Sequence, residues 1–436
     1  YLVEVNVGYT GSEQFAPANR YGFFPSGALG WVISEEQFLK TAAPWLSKLK
    51  LRYSDGLVGS DYATNRWLYM SDYYTSGSYI IEDKAPNRTA QWEEARKRDL
   101  GIEFGVLKNT FTLSVDLFDE YRTKMLLTPR SVTLYVGNSF KELNLGSLKK
   151  HGIEIEAEYN KTTTGGFNYF VKALLGFNEN RILNKDDLPY SPEYTKDAGK
   201  PLGAQKSGVL LTGTGYYTSV DDIHNNPAPT DLTKLYIGDY KFLDYTADGK
   251  ISILDKYPIP GFTYPPVTYS LSGGMSFKGF DFDFMFQGNV GKYVEFNQGF
   301  ENEFLFQDWL IHKSQLDYWS PTNPDANHSA LHYDGAAPSI LAWGGGGAQE
   351  GYYIMIKDRI WRNADYLRLK QVSAGYTFNS GFMKRAAGIS NMRVYITGNN
   401  LLTFTKLIEG DPERKDFMEG FYPQMASMKL GLKFSF

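Results

Sequence analysis

The 436 residues predict an all-β fold, a transmembrane antiparallel β-barrel contributing about a dozen strands from this chain. Three observations lead there. Apolar and polar residues alternate with a period of two in segment after segment, as in strands lying between an apolar and a wet environment. The connections alternate between tight turns and long polar segments. The composition is rich in Tyr (32), Phe (29) and Gly (43), which suits strands and turns better than helices.

The elements follow in order. "YLVEVNVGYT" opens on Val3, Val5, Val7 and Tyr9, without an initiator Met, a basic region or an apolar leader, and reads as a fragment that starts mid-protein. "DLGIEFGVL" sets Leu100, Ile102, Phe104 and Val106 on one face, and "FTLSVDL" answers with Phe111, Leu113, Val115 and Leu117 across a turn at Lys108 and Asn109. "GIEIEAEY" alternates Ile153, Ile155, Ala157 and Tyr159 with Glu154, Glu156 and Glu158, and pairs with "YFVKALLGF" across residues 161–166. "TYSLSGGMSF" and "FDFDFMF" meet at Lys278 and Gly279, with Phe280, Phe282, Phe284 and Phe286 opposite Asp281, Asp283, Met285 and Gln287. The closing "MKLGLKFSF" places Met428, Leu430, Leu432, Phe434 and Phe436 on one side.

Short turns are expected near 108–109, 161–166, 278–279 and 379–390, and long segments over about 56–91, 181–262, 288–361 and 403–421. Long loops at one end and short turns at the other are the habit of outer-membrane barrels, whose turns are periplasmic and loops extracellular. An even number of strands ending on the short-turn side makes the C-terminus periplasmic. The alternative is a soluble antiparallel sheet, which would have to cover a row of four Phe with other protein. Val115, Ile155, Phe282 and Phe284 are therefore expected to face lipid.

Composition also excludes. A net charge of −4 gives no global attraction to nucleic acid. The absence of Cys removes disulfides, thiolate metal sites and thiol nucleophiles. No apolar run reaches the ~18 residues of a membrane helix, a test to which barrel strands are invisible.

Nine stretches stand out in order along the chain: "YGFFPSGALGWVISEEQFL" (21–39), "LKLRYSDGLVG" (49–59), "DLGIEFGVLKNTFTLSVDLFDEYRTKMLL" (99–127), "LGSLKKHGIEIEAEYN" (145–160), "IGDYKFLDYTADGKISILDK" (237–256), "YWSPTNPDAN" (318–327), "YLRLKQVSAGYTF" (366–378), "MRVYITGNNLLTFTK" (392–406) and the final "YPQMASMKLGLKFSF". Together they resemble the SusC/RagA family of TonB-dependent outer-membrane transporters of Bacteroidetes-type bacteria. The resemblance implies a 22-stranded barrel, of which residues 1–436 form the C-terminal part, with the plug, the TonB box and the first strands lying outside this chain. It also implies nutrient import without catalysis. The implied partners are outer-membrane lipid, TonB acting through an upstream segment, an SusD-like lipoprotein over the extracellular mouth, and an oligosaccharide or peptide substrate. The alternative of another class is a barrel that does not transport, an adhesin-like scaffold or an outer-membrane hydrolase, but no catalytic spacing of Ser, His and Asp or of paired carboxylates stands out.

Aromatic residues in the long segments, Trp319, Trp343, Tyr352, Tyr353 and Trp361, are candidates to stack on sugar faces; the blander reading is that each folds its loop or joins the interfacial belt. His328 and His332 have helical metal spacing but sit in a Pro-rich loop with no third ligand in view. The glycines at 344–347 lack the Lys-Ser/Thr of a phosphate loop. "DYTADGKISILD" places Asp244, Thr246, Asp248, Gly249 and Asp255 at positions 1, 3, 5, 6 and 12 of a calcium loop, with Lys250 supplying its carbonyl. Its alternative is an Asp/Gly turn satisfied by its own hydrogen bonds. No cofactor is required, and Ca²⁺ is the one ion the sequence points to.

Overall fold

The alternation is realised as one hydrogen-bonded ladder. The computed structural model describes residues 1–132, 137–203, 215–229, 235–255, 257, 261–295, 313–330, 361–378, 389–407, 410–414 and 424–435. Twelve of its strands form a single sheet in which neighbours in sequence are neighbours in space. They are β1 (Leu2–Gly11), β2 (Tyr21–Val32), β3 (Leu46–Ser60), β4 (Glu93–Val106), β5 (Phe111–Leu127) and β6 (Leu143–Thr162), followed by β7 (Asn168–Asn184), β8 (Val267–Phe277), β9 (Phe280–Val290), β10 (Tyr366–Phe378), β11 (Asn391–Thr405) and β12 (Ser427–Ser435). Every adjacent pair is antiparallel. Among the described residues no helix is long and apolar enough to cross a membrane.

Register gives the sheet two unlike faces, because residues directly opposite one another project from the same side. One row runs Leu51, Ile102, Val115, Ile155, Leu175, Tyr269. On β9, Phe282 and Phe284 stand opposite Met275 and Gly273 on one side and Ala374 and Val372 on the other, and Ile396 and Leu430 continue the face to β12. Much of this face is exposed, including Ile102, Leu271, Ile396 and Leu430. The opposite face reads Arg52, Gly101, Asp116, Glu154, Gly176, Thr268 in one row and Lys50, Glu103, Ser114, Glu156, Leu174, Ser270, Gln287, Arg368 in the next. Val115, Ile155, Phe282 and Phe284 thus share the apolar face, as the alternation requires.

The turn between β8 and β9 shows the local logic. Lys278 and Gly279 have φ of 47° and 91°, a pair of left-handed residues whose twist matches the flanking strands. Connections at 33–45, 107–110, 163–167, 278–279 and 379–390 lie at one end, and those at 12–20, 61–92, 128–142, 185–266, 291–365 and 406–426 at the other. Near the N-terminus the length contrast lapses, since 33–45 carries a short helix (Gln37–Ala42) while 12–20 is compact. The strands also run further toward the long loops than expected, to Ser60, Asn184, Val290 and Thr405.

The buried apolar residues gather at the long-connection end. Phe15, Leu68, Ala90, Trp92 and Leu126 form one cluster, joined by Phe24 and Ala63. Beside it the fully buried Lys141 pairs with Asp72 at 2.7 Å and donates to the carbonyls of Arg66 and Trp67. Glu142 accepts from the backbone N–H groups of Thr64 and Asn65 and from Asn65 Nδ2. Burial pushes the Glu142 carboxyl up, but these bonds outweigh it and hold the group below its usual range.

Candidate functional site

The polar face and the loops that close over its long-connection end make up the candidate site. Its centre is a lattice of ion pairs between strands. Arg52 on β3 reaches Asp99 at 3.2 Å and, two strands away, Asp116. That reach depends on Gly101 between them, where a Cβ would collide with the Arg52 guanidinium and the Asp116 carboxylate. Glu103 is held by Lys48 at 2.5 Å and Lys50 at 3.1 Å. Lys172 takes Glu156 at 2.5 Å, and Arg393 takes Asp281 with both arms of its guanidinium. A face of this chemistry stays wet and can slide polar molecules past fixed charges.

At the rim a second cluster folds a loop inward. Arg368 on β10, only 3% exposed, donates through Nε to Thr403 Oγ1 at 2.9 Å and through Nη2 to Asp411 at 3.0 Å, and its other arm pairs with Glu413 at 3.1 Å. Lys370 chelates the same Glu413 at 2.6 and 2.7 Å. Lys292 Nζ donates to the carbonyls of Pro412 and Arg414. Burial lowers the Lys292 pKa, against the opposing pull of Asp411 and Glu413. Residues 410–414 are thereby pinned over the polar face, bordering a recess lined by Tyr264, Gln287, Asn289, Lys292 and Tyr366.

A third cluster ties the two longest loops together. Tyr216 stacks at a tilt on Tyr240, with ring centroids 5.3 Å apart, and lies 6.5 Å from Trp319. Tyr216 OH donates to the Ala326 carbonyl at 2.6 Å, and Ala330 N donates to the Gly238 carbonyl at 2.9 Å. Trp319 is 8% exposed, so its ring faces protein and folds the loop. This corrects its candidacy as a sugar-stacking residue. Trp361 is half-buried in a short strand pair (Tyr293–Glu295 with Trp361–Asn363), stacked on Tyr293 at 5.9 Å and 21°. Trp343, Tyr352, Tyr353, His332, the glycines 344–347 and Phe436 lie outside the described residues. His328 is buried and its backbone pairs with Tyr318.

In the Asp244–Asp255 loop the carboxylates serve the backbone. Asp244 accepts from Asp248 N at 3.2 Å and Gly249 N at 2.8 Å, Asp248 from Lys250 N at 2.9 Å, and Asp255 from Thr246 N at 2.9 Å and Ser252 N at 2.7 Å. Gly249 has φ of 81°, the conformation the sharp turn needs. The Thr246 hydroxyl sits 2.9 Å from Asp255 Oδ1 and 3.4 Å from Asp244 Oδ1, so two carboxylates converge on one point. Burial raises the Asp255 carboxyl, and the N–H donors more than offset it, leaving it below its usual range. Among the described residues no three of His, Cys, Asp and Glu are already arranged around a metal position.

The sequence reading missed the Arg368 cluster, because its partners lie 43 and 45 residues away in a different loop and leave no local spacing to find.

The family model described as TonB dependent receptor-like, beta-barrel matches residues 2–256. TonB-dependent receptor SusC of Bacteroides thetaiotaomicron is 27% identical over 458 residues, covering 100% of this chain and 42% of that protein. TonB-dependent receptor P3 of Formosa agariphila is 26% identical over 477 residues, covering 100% of this chain and 44% of its own length. A solved structure of the RagAB peptide importer in the 'closed-closed' state superposes with a TM-score of 0.72 at 21% identity, covering 100% of this chain and 46% of that one, which establishes likeness of fold. The chain spans less than half the length of each of these relatives. On this evidence the chain belongs to the TonB-dependent receptor-like β-barrel family, within its SusC/RagA group.

Proposed function

We propose that the chain forms a large part of the wall of an outer-membrane, TonB-dependent importer of oligosaccharides or peptides. The observation that carries this reading is the two-faced sheet, apolar along one side and ion-paired along the other, with its elaborate loops gathered at one end. In it the apolar face meets lipid, the polar face lines the lumen, and the C-terminal strand ends in the periplasm. The remaining strands of a 22-stranded wall, the plug and the TonB box belong to polypeptide outside these residues. The loops 185–266 and 291–365, too long to be plain connections and braced on each other through Tyr216 and Ala326, offer the platform for an SusD-like lipoprotein. Trp361 is the candidate, among the described residues, to meet substrate. The test is purification of the whole protein from its native membrane under mild detergent. A surface lipoprotein is expected at a one-to-one ratio, and loss of either protein should abolish uptake of the same glycan or peptide. Recovery of the barrel alone, with uptake intact, would remove the lipoprotein from the reading.

The Asp244–Asp255 loop is proposed to take Ca²⁺, supported by the convergence of Asp244 and Asp255 on Thr246. Oxygen-only ligands suit this ion, and an extracellular site functions at a Kd of order 10⁻⁴ to 10⁻³ M. Titration calorimetry of the purified protein should show one such site, abolished in D248N/D255N. Absence of a calcium heat in the parent protein at millimolar Ca²⁺ would leave the loop as a self-satisfied Asp turn.

A further inference from the structure

Two rows on the apolar face change its character. The last apolar row toward the long loops runs Tyr53, Leu100, Leu117, Ile153, Phe177. The next reads Asp55, Arg98, Asp119, His151, Glu179, and the one beyond it Arg96, Tyr121, Lys149, Arg181. On β2 and β1 the first of these charged rows carries Gly27 and Val5, so the charges are confined to β3–β7.

Their pairing is uneven. Arg96 is held by Asp55 at 3.0 and 2.6 Å and Arg98 by Asp119 at 2.5 Å. Lys149 lies 3.5 Å from the already engaged Asp119, and Arg181 3.7 Å from Glu179, with half or more of each side chain exposed. Lys149 and Arg181 are direct cross-strand partners. Like charges in that position repel, unless an anion lies between them. Tyr121 stands beside Lys149 in the same row.

Height selects the anion. On β7 the apolar face runs from Tyr169 to Phe177, about 26 Å along the strand at 3.3 Å per residue and about 20 Å across a membrane at a tilt near 40°. Arg181, four residues further, sits about 10 Å above that band, at the level of lipid headgroups. We propose that Lys149 and Arg181, with Tyr121, bind the phosphate of an anionic lipid headgroup in the outer leaflet. The site lies outside the transport path and rests on the membrane placement proposed above.

The test uses the whole protein in mild detergent and native mass spectrometry, with a diphosphorylated acylated glucosamine disaccharide as probe and the same lipid stripped of phosphate as control. The phosphorylated lipid should bind about thirtyfold more weakly to K149Q/R181Q than to the parent. K149R/R181K should restore binding. Equal binding of the stripped lipid, or unchanged binding by K149Q/R181Q, would overturn the site, and displacement of the lipid by equimolar inorganic phosphate would overturn the headgroup assignment. Flotation with liposomes separates this outcome from failure of the membrane placement, since both proteins should float if only the headgroup site is wrong.

Discussion

Replacing Arg368 with Ala is expected to cost about 3–5 kcal/mol in the docking of the 410–414 segment, the usual penalty for breaking a buried ion pair from one side. Asp411 would be left buried with its guanidinium partner gone, Thr403 would lose its charged donor, and Glu413 would lose one of its cations while keeping Lys370 and the Tyr366 hydroxyl. The readout is amide hydrogen exchange. The Glu413 N–H, bonded to Asp411 Oδ1 at 2.8 Å, should lose protection by orders of magnitude, while amides of β4 to β7 should not change. Removing both charges with R368M/D411L should recover much of the loss, because the expensive state is the unpaired charge and not the missing bridge. If R368A exchanged like the parent, the cluster would be shown to contribute nothing to holding the loop over the polar face.

How much of this was legible in the sequence depends on where each residue lies. The mid-strand pattern was plain, because Ile153, Ile155 and Ala157 or Phe282, Phe284 and Phe286 alternate against charges that share the other face. β5 was visible only as far as Leu117, although its ladder runs on to Leu127. Beyond the apolar belt the same face carries Asp119 and Tyr121, and period two stops announcing a strand whose hydrogen bonds continue. The ends of β3 and β7 were hidden in the same way, at Asp55 and at Glu179. Trp319 misled for a different reason. A Trp in a Pro-rich loop looks available, and only the arrival of Tyr216 from a loop about a hundred residues away shows its ring to be covered. The Arg368 cluster and the loop 128–142 that carries Lys141 and Glu142 depend wholly on chain segments brought together by the fold. The Asp244–Asp255 spacing was legible as a loop, and its carboxylates do converge, through backbone donors that no spacing rule distinguishes from a metal.

Phe284→Arg is expected to destabilise the sheet by about 2–4 kcal/mol, the cost of a cation at mid-membrane depth on a barrel's lipid face. Phe284 is near the middle of β9, between Gly273 and Val372 across the ladder and flanked along the strand by Phe282 at 6.2 Å and Phe286 at 5.9 Å. An Arg there would have to reach past one of those rings to find water. Thr268→Arg is the control. It puts the same charge on the opposite face, in the row of Asp116 and Glu154, and is expected to cost little. The comparison is made by denaturant unfolding of the whole protein in vesicles. A soluble sheet would also resent an Arg on its packed face, so the decisive feature is what covers that face. Among the described residues the buried apolar side chains cluster at the long-loop end, and none comes from the middle of the Phe280–Phe286 row or its neighbours Ala374 and Met275. Nothing in those residues packs on it as a second layer. Equal stability of the two Arg variants would mean that the face is neither lipid-bound nor dry, and would count against the membrane placement itself.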